Sequence, residues 1–80
     1  MEVDERKLKE ELRYHPKKLK EQFKNNPEAV MSVLANELKM YGCPQSKEWI
    51  KDEMERLLAG GKPGDTASSF LSLWLERGIL

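Results

Sequence analysis

The chain has little of the side-chain chemistry on which catalysis depends. Among its 80 residues it has one histidine, His15, and one cysteine, Cys43. A nucleophilic site needs a base beside its nucleophile, and the spacing of these two residues does not require them to meet. A structural zinc site needs about four ligands, usually cysteine or histidine, and only these two are present. The sequence therefore predicts a protein that is not an enzyme and that holds no metal and no cofactor.

The chain also lacks long apolar runs and an excess of either charge. An uninterrupted apolar stretch such as Leu73-Trp74-Leu75 is far too short to span a bilayer. The charged N-terminus has no apolar core of the kind a secretory signal needs. Fourteen basic residues balance fourteen acidic ones. This zero net charge argues against membership of the strongly basic class of nucleic-acid-binding proteins. A single cysteine excludes a disulfide within the chain and fits a reducing compartment, so we expect a cytoplasmic protein. Because the apolar runs are short, we expect no contact with a membrane.

What the sequence does contain is a set of breaks between short amphipathic segments. Proline suits the first turn of a helix and glycine the position just past its end, and both residue types stand at these breaks. The pattern predicts an all-α domain, a compact bundle of four or five short helices. The expected parts are an N-terminal arm over about 1–25, broken or kinked at Pro16, and core helices over about 27–41, 47–59 and 66–77. The arm has a narrow apolar stripe, so we expect it to be the loosest part.

The last helix is the most apolar. At 100° per residue its apolar side chains spread over roughly 200° of arc, about twice the width of an ordinary surface helix. Either this helix is the centre of the bundle, or it makes a second apolar contact. The second interpretation gives the candidate partner-binding residues Phe70, Leu73, Trp74, Leu75 and Leu80. A homodimer through this face would bury the same patch on both copies.

A basic cluster on the arm is the strongest electrostatic feature. It consists of Arg13, Lys17, Lys18, Lys20 and Lys24, with Glu21 as the only acid among them. Such a cluster is a candidate for contact with anions or nucleic acid, although it is more often a solvated helix face. Residues 34–50 also look loosely like a helix-turn-helix. Its reading helix mixes acids with bases, however, and suits a DNA groove poorly.

Two carboxylates project from apolar helix faces, Glu37 and Glu53. A buried carboxylate is costly unless it is paired, so we expect each to lie at the rim of its stripe or to pair with a lysine or arginine of the arm. We expect four side chains to be inaccessible: Leu34, Leu38, Leu57 and Phe70.

The sequence favours a small non-enzymatic protein–protein interaction module, an adaptor or regulator. The alternative is a nucleic-acid-binding regulator.

Overall fold

The computed structural model describes residues 4–79 and contains five α-helices and no strand in that range. The helices are α1 (Glu5–Tyr14), α2 (Lys17–Asn25), α3 (Pro27–Met40), α4 (Lys47–Leu58) and α5 (Thr66–Arg77). The predicted all-α bundle is confirmed, and its three core helices lie within one residue of their expected bounds. None of the helices in the described range has both the length and the apolarity to cross a bilayer.

The helix ends follow the local sequence closely. The side chains of Ser46 and Asp65 accept hydrogen bonds from the backbone N–H groups of Trp49 and Ser68, at 3.1 and 2.8 Å. These bonds satisfy N–H groups that have no partner within the first turn of a helix. Asn26 precedes α3 without such a bond, and Pro27, which has no N–H group, occupies the first position of that helix.

Pro16 breaks the N-terminal arm into two helices, as the sequence predicts. The residue before a proline avoids the helical conformation, and the backbone of His15 is not helical (φ −131°, ψ 78°). The arm is nevertheless anchored to the bundle, because Leu8, Leu12 and Leu19 are all buried. Its lower local stability stays a prediction.

The centre of the bundle is α3, not α5. Helix α3 packs against all four other helices, whereas α5 packs against α2, α3 and α4. The buried apolar residues of α3 are Val30, Met31, Val33, Leu34 and Leu38. The expectation of four inaccessible side chains is therefore right for Leu34 and Leu38, which are fully buried. It is wrong for Leu57 and Phe70, which are half-buried at the edges of the core.

The C-terminal residues return to the first helix. Gly78 leaves α5 with φ +91° and ψ 165° and is buried. The next residue, Ile79, is 1% exposed, and its N–H donates to the Leu12 carbonyl at 3.3 Å. This bond satisfies one of the carbonyls left open at the end of α1. The tail therefore ties α1 to the rest of the bundle.

Candidate interaction surfaces

The residues predicted to bind a partner on α5 do not form one surface. Trp74 is fully buried, so in this conformation it cannot contact a partner. The fully buried strip of α5 also includes Ala67, Ser68 and Leu71. At 100° per residue, Leu73 and Leu75 lie about 160° apart around the helix, and both are half-buried. Leu80 lies outside the described residues. The wide apolar arc is therefore a buried strip accompanied by half-buried residues.

One edge forms an aromatic surface with the end of α3. The ring of Tyr41 stacks on Phe70 with a centroid separation of 5.0 Å, and Phe70 stacks on Trp74 at 5.7 Å. Tyr41 is 42% exposed, and Leu73 is half-buried three residues after Phe70. We call Tyr41, Phe70 and Leu73 the aromatic face. Helix α3 ends at Met40, and Tyr41 follows it as the C-cap residue with φ −89° and ψ 8°.

Beneath this face, the Trp74 ring is held by apolar packing alone. Its Nε1 is the single buried side-chain nitrogen or oxygen without a hydrogen-bond partner within residues 4–79. Burying an unpaired donor costs about 1–3 kcal/mol, so the ring must gain more than that from its contacts. Trp74 is therefore a fixed base for Phe70 and Tyr41, whose centroids lie 5.7 and 6.0 Å from its own.

A groove lies between the first half of α1 and the second half of α3. Its volume is about 400 Å³, and its lining includes Val33, Glu37 and Met40. Glu37 is only 2% exposed, and its Oε1 lies 2.6 Å from the Nζ of Lys9. Of the two alternatives expected for Glu37, a rim position or an ion pair with the arm, the structure shows the ion pair. Met40 is 72% exposed, the most exposed large apolar side chain of the described range.

The second carboxylate, Glu53, links α4 to α5. Its two oxygens accept hydrogen bonds from Arg56 at 2.6 and 2.8 Å, and Oε2 also accepts from the hydroxyl of Ser68, which is fully buried. The partner is thus on its own helix and not on the arm. The hydrogen bonds from Arg56 hold the pKa of Glu53 below its usual value, although burial opposes that shift. This arrangement serves structure, because every contact named here joins groups within the bundle.

Protonation of Glu53 should loosen this link. Because its pKa is lowered in the folded state, its stabilising contribution is present above the ordinary pKa of 4.5 and disappears as the pH falls through the lowered value. Glu53→Gln should therefore lower the free energy of unfolding near neutral pH, and its deficit relative to wild type should shrink as the pH falls below 4.5 and through the lowered pKa. Denaturant unfolding at several pH values measures both. Glu55→Gln, an exposed carboxyl on the same helix, is the control, and an equal pH dependence in both variants would contradict the prediction.

The basic cluster does not converge on a single cavity. The side of α2 away from buried Leu19 carries three exposed lysines, Lys17, Lys20 and Lys24. The Nζ of Lys18 lies 3.6 Å from Oε2 of Glu21. Arg13, on α1, lines a different shallow groove from the one beside Lys17 and Lys18. The cluster therefore consists of a lysine stripe on α2 and a separate arginine on α1.

We expect no binding of duplex DNA or RNA at physiological salt. Binding by so few lysines would rest on counterion release and would fall steeply as salt increases. Fluorescence anisotropy with a labelled duplex over a salt series tests this. Sub-micromolar, salt-sensitive binding that disappears when Lys17 and Lys18 are both changed to glutamate would overturn the prediction.

The remaining candidates provide no additional site. The exposed side of α4 carries three basic and three acidic residues: Lys47, Glu48, Lys51, Asp52, Glu55 and Arg56. His15 is exposed beside α2, whereas Cys43 is half-buried in the loop after α3, and its thiol lies 3.9 Å from the Tyr41 carbonyl. No group of three or more potential metal ligands occurs in the described part of the chain.

Comparisons with protein-family models, with curated proteins and with solved structures find no match for this chain.

Proposed function

We propose that this chain is a small non-enzymatic interaction module, an adaptor or regulator that binds another protein through its aromatic face. The observation that carries the proposal is that Tyr41 is 42% exposed while its ring is stacked on Phe70. Tyrosine is among the residues that contribute most binding energy at protein interfaces. A ring already held by its neighbours loses little conformational freedom on binding, so more of its contact energy is retained.

The second candidate function is a nucleic-acid-binding regulator. The exposed lysine stripe on α2 supports it, because Lys17, Lys20 and Lys24 could follow a phosphate backbone. It ranks second because α4 presents balanced charge where a reading helix would need a basic surface. The aromatic face has no such conflict.

The test compares two single variants of the tagged full chain in capture from nuclease-treated lysate. Tyr41→Ala should reduce recovery of a bound protein by about ten-fold or more, the loss typical of a hot-spot residue. Leu58→Ala is the control, since Leu58 is also exposed (38%) but lies at the end of α4. Thermal unfolding of each variant separates lost binding from lost structure. Equal recovery by Tyr41→Ala and wild type, or an equal loss with Leu58→Ala, would contradict the proposal.

A second copy of the chain is one partner that this face could bind. Sedimentation over a wide concentration range distinguishes the two cases, because a homodimer forms increasingly as the protein concentration rises. If the partner is a second copy, wild type should dimerise and Tyr41→Ala should remain monomeric. If wild type is a monomer throughout, the partner is a different protein.

A further inference from the structure

The groove between α1 and α3 combines an apolar base with a flexible apolar rim. Val33 is 3% exposed at its base, while Met40 is 72% exposed at its edge. A methionine side chain has three rotatable bonds and a polarisable sulfur, so it adapts readily to apolar groups of different shapes. A groove of about 400 Å³ is large enough to receive a bulky side chain from a bound segment.

The charges around this groove favour an acidic occupant. Arg6, Lys9 and Lys39 line it, against Glu5 and Glu37. Lys9 and Glu37 neutralise each other at 2.6 Å. Neither Arg6 nor Lys39 forms an ion pair with any residue from 4 to 79. Counting only residues 4–79, two cations and one carboxylate that have no ion pair therefore line the groove beside its apolar base.

We propose that this groove binds an acidic amphipathic segment of the protein partner, which is the partner assigned to this chain under the proposed function. An apolar side chain of that segment packs on Val33 and Met40, and its carboxylates pair with Arg6 and Lys39. The arginine guanidinium suits this role because it binds a carboxylate through two parallel hydrogen bonds. A basic segment with the same apolar residues would be repelled by the same two cations.

Three synthetic helical peptides of about 14 residues test the groove directly, and each is titrated into the full chain by fluorescence anisotropy. The first has leucine at i, i+3, i+4 and i+7 spacing and glutamate elsewhere. The second replaces the glutamates with lysine, and the third replaces the leucines with serine. Only the first should bind well, and its affinity should fall as salt is added. Comparable binding of the lysine peptide or of the serine peptide would overturn the proposal.

Charge-reversal variants locate the binding. Arg6→Glu combined with Lys39→Glu should weaken binding of the glutamate–leucine peptide by about ten-fold or more, as expected for loss of two charge pairs. Lys47→Glu combined with Lys62→Glu makes the same change in net charge at exposed positions elsewhere. This control should alter the affinity by less than about two-fold. An equal loss in both double variants would place the binding outside the groove.

The two proposals fail in different ways. If Tyr41→Ala abolishes capture of the cellular partner while the groove variant leaves both capture and peptide affinity unchanged, the proposed function stands and the groove assignment is wrong. If the peptide binds in the groove but Tyr41→Ala leaves capture unchanged, the aromatic face is not the principal contact and the groove assignment stands.

Discussion

Replacing Leu34 with alanine is expected to cost about 2–5 kcal/mol of unfolding free energy. Leu34 is fully buried on α3, the helix that contacts all four others. The truncation would remove apolar contacts and leave a cavity at the centre of the bundle, where no single helix can move to fill it. A domain of this size is marginally stable, so a loss of that order would unfold much of the population.

Denaturant unfolding followed by circular dichroism measures this cost. Leu38→Ala should lower the free energy of unfolding by a similar amount, because Leu38 is also fully buried. Leu58→Ala is the matched control and should change stability by no more than about 0.5 kcal/mol, since Leu58 lies at the surface. Leu57→Ala should fall between these values. Costs below about 1 kcal/mol for both Leu34 and Leu38 would mean that this core is assigned wrongly.

Replacing Gly78 with alanine should be as damaging, although it only adds one methyl group. A Cβ at this position would lie 2.7 Å from the Arg13 carbonyl oxygen and 3.0 Å from that of Leu12. Both atoms belong to backbone, so neither can rotate away. The conformation of Gly78, with φ +91° and ψ 165°, is in addition essentially restricted to glycine. We expect a loss of about 2–4 kcal/mol, and displacement of Ile79 from its site against α1.

Gly64→Ala is the matched control for this substitution. A Cβ at Gly64 would meet no atom within 4 Å, so the change should be neutral or slightly stabilising. Thermal unfolding compares the two variants. Amide hydrogen exchange then shows whether Gly78→Ala also loses protection in α1, as it should if the tail holds that helix in place. Equal melting temperatures for the two variants would show that the tail contributes little.

The sequence alone determined the features that depend on local interactions. Pro16 forces a break because proline restricts the residue before it, and Ser46 and Asp65 begin helices because their side chains bond to backbone N–H groups within the same turn. The periodic apolar residues predicted four or five helices and much of the buried side of α3. The cost of burying an unpaired carboxylate left two alternatives for Glu37, the rim of its stripe or an ion pair with the arm, and it did not single out Lys9.

Only the tertiary structure decided how these helices share their apolar surfaces. A helical projection gives the width of an apolar arc, but the neighbours that cover it come from distant parts of the chain. Trp74 is therefore buried beneath its neighbours, whereas Tyr41 is exposed just past the end of α3. The groove beside Met40 exists because α1 packs against α3. The approach of Gly78 to the Arg13 carbonyl likewise joins residues far apart in sequence. Each depends on long-range packing, which local periodicity does not encode.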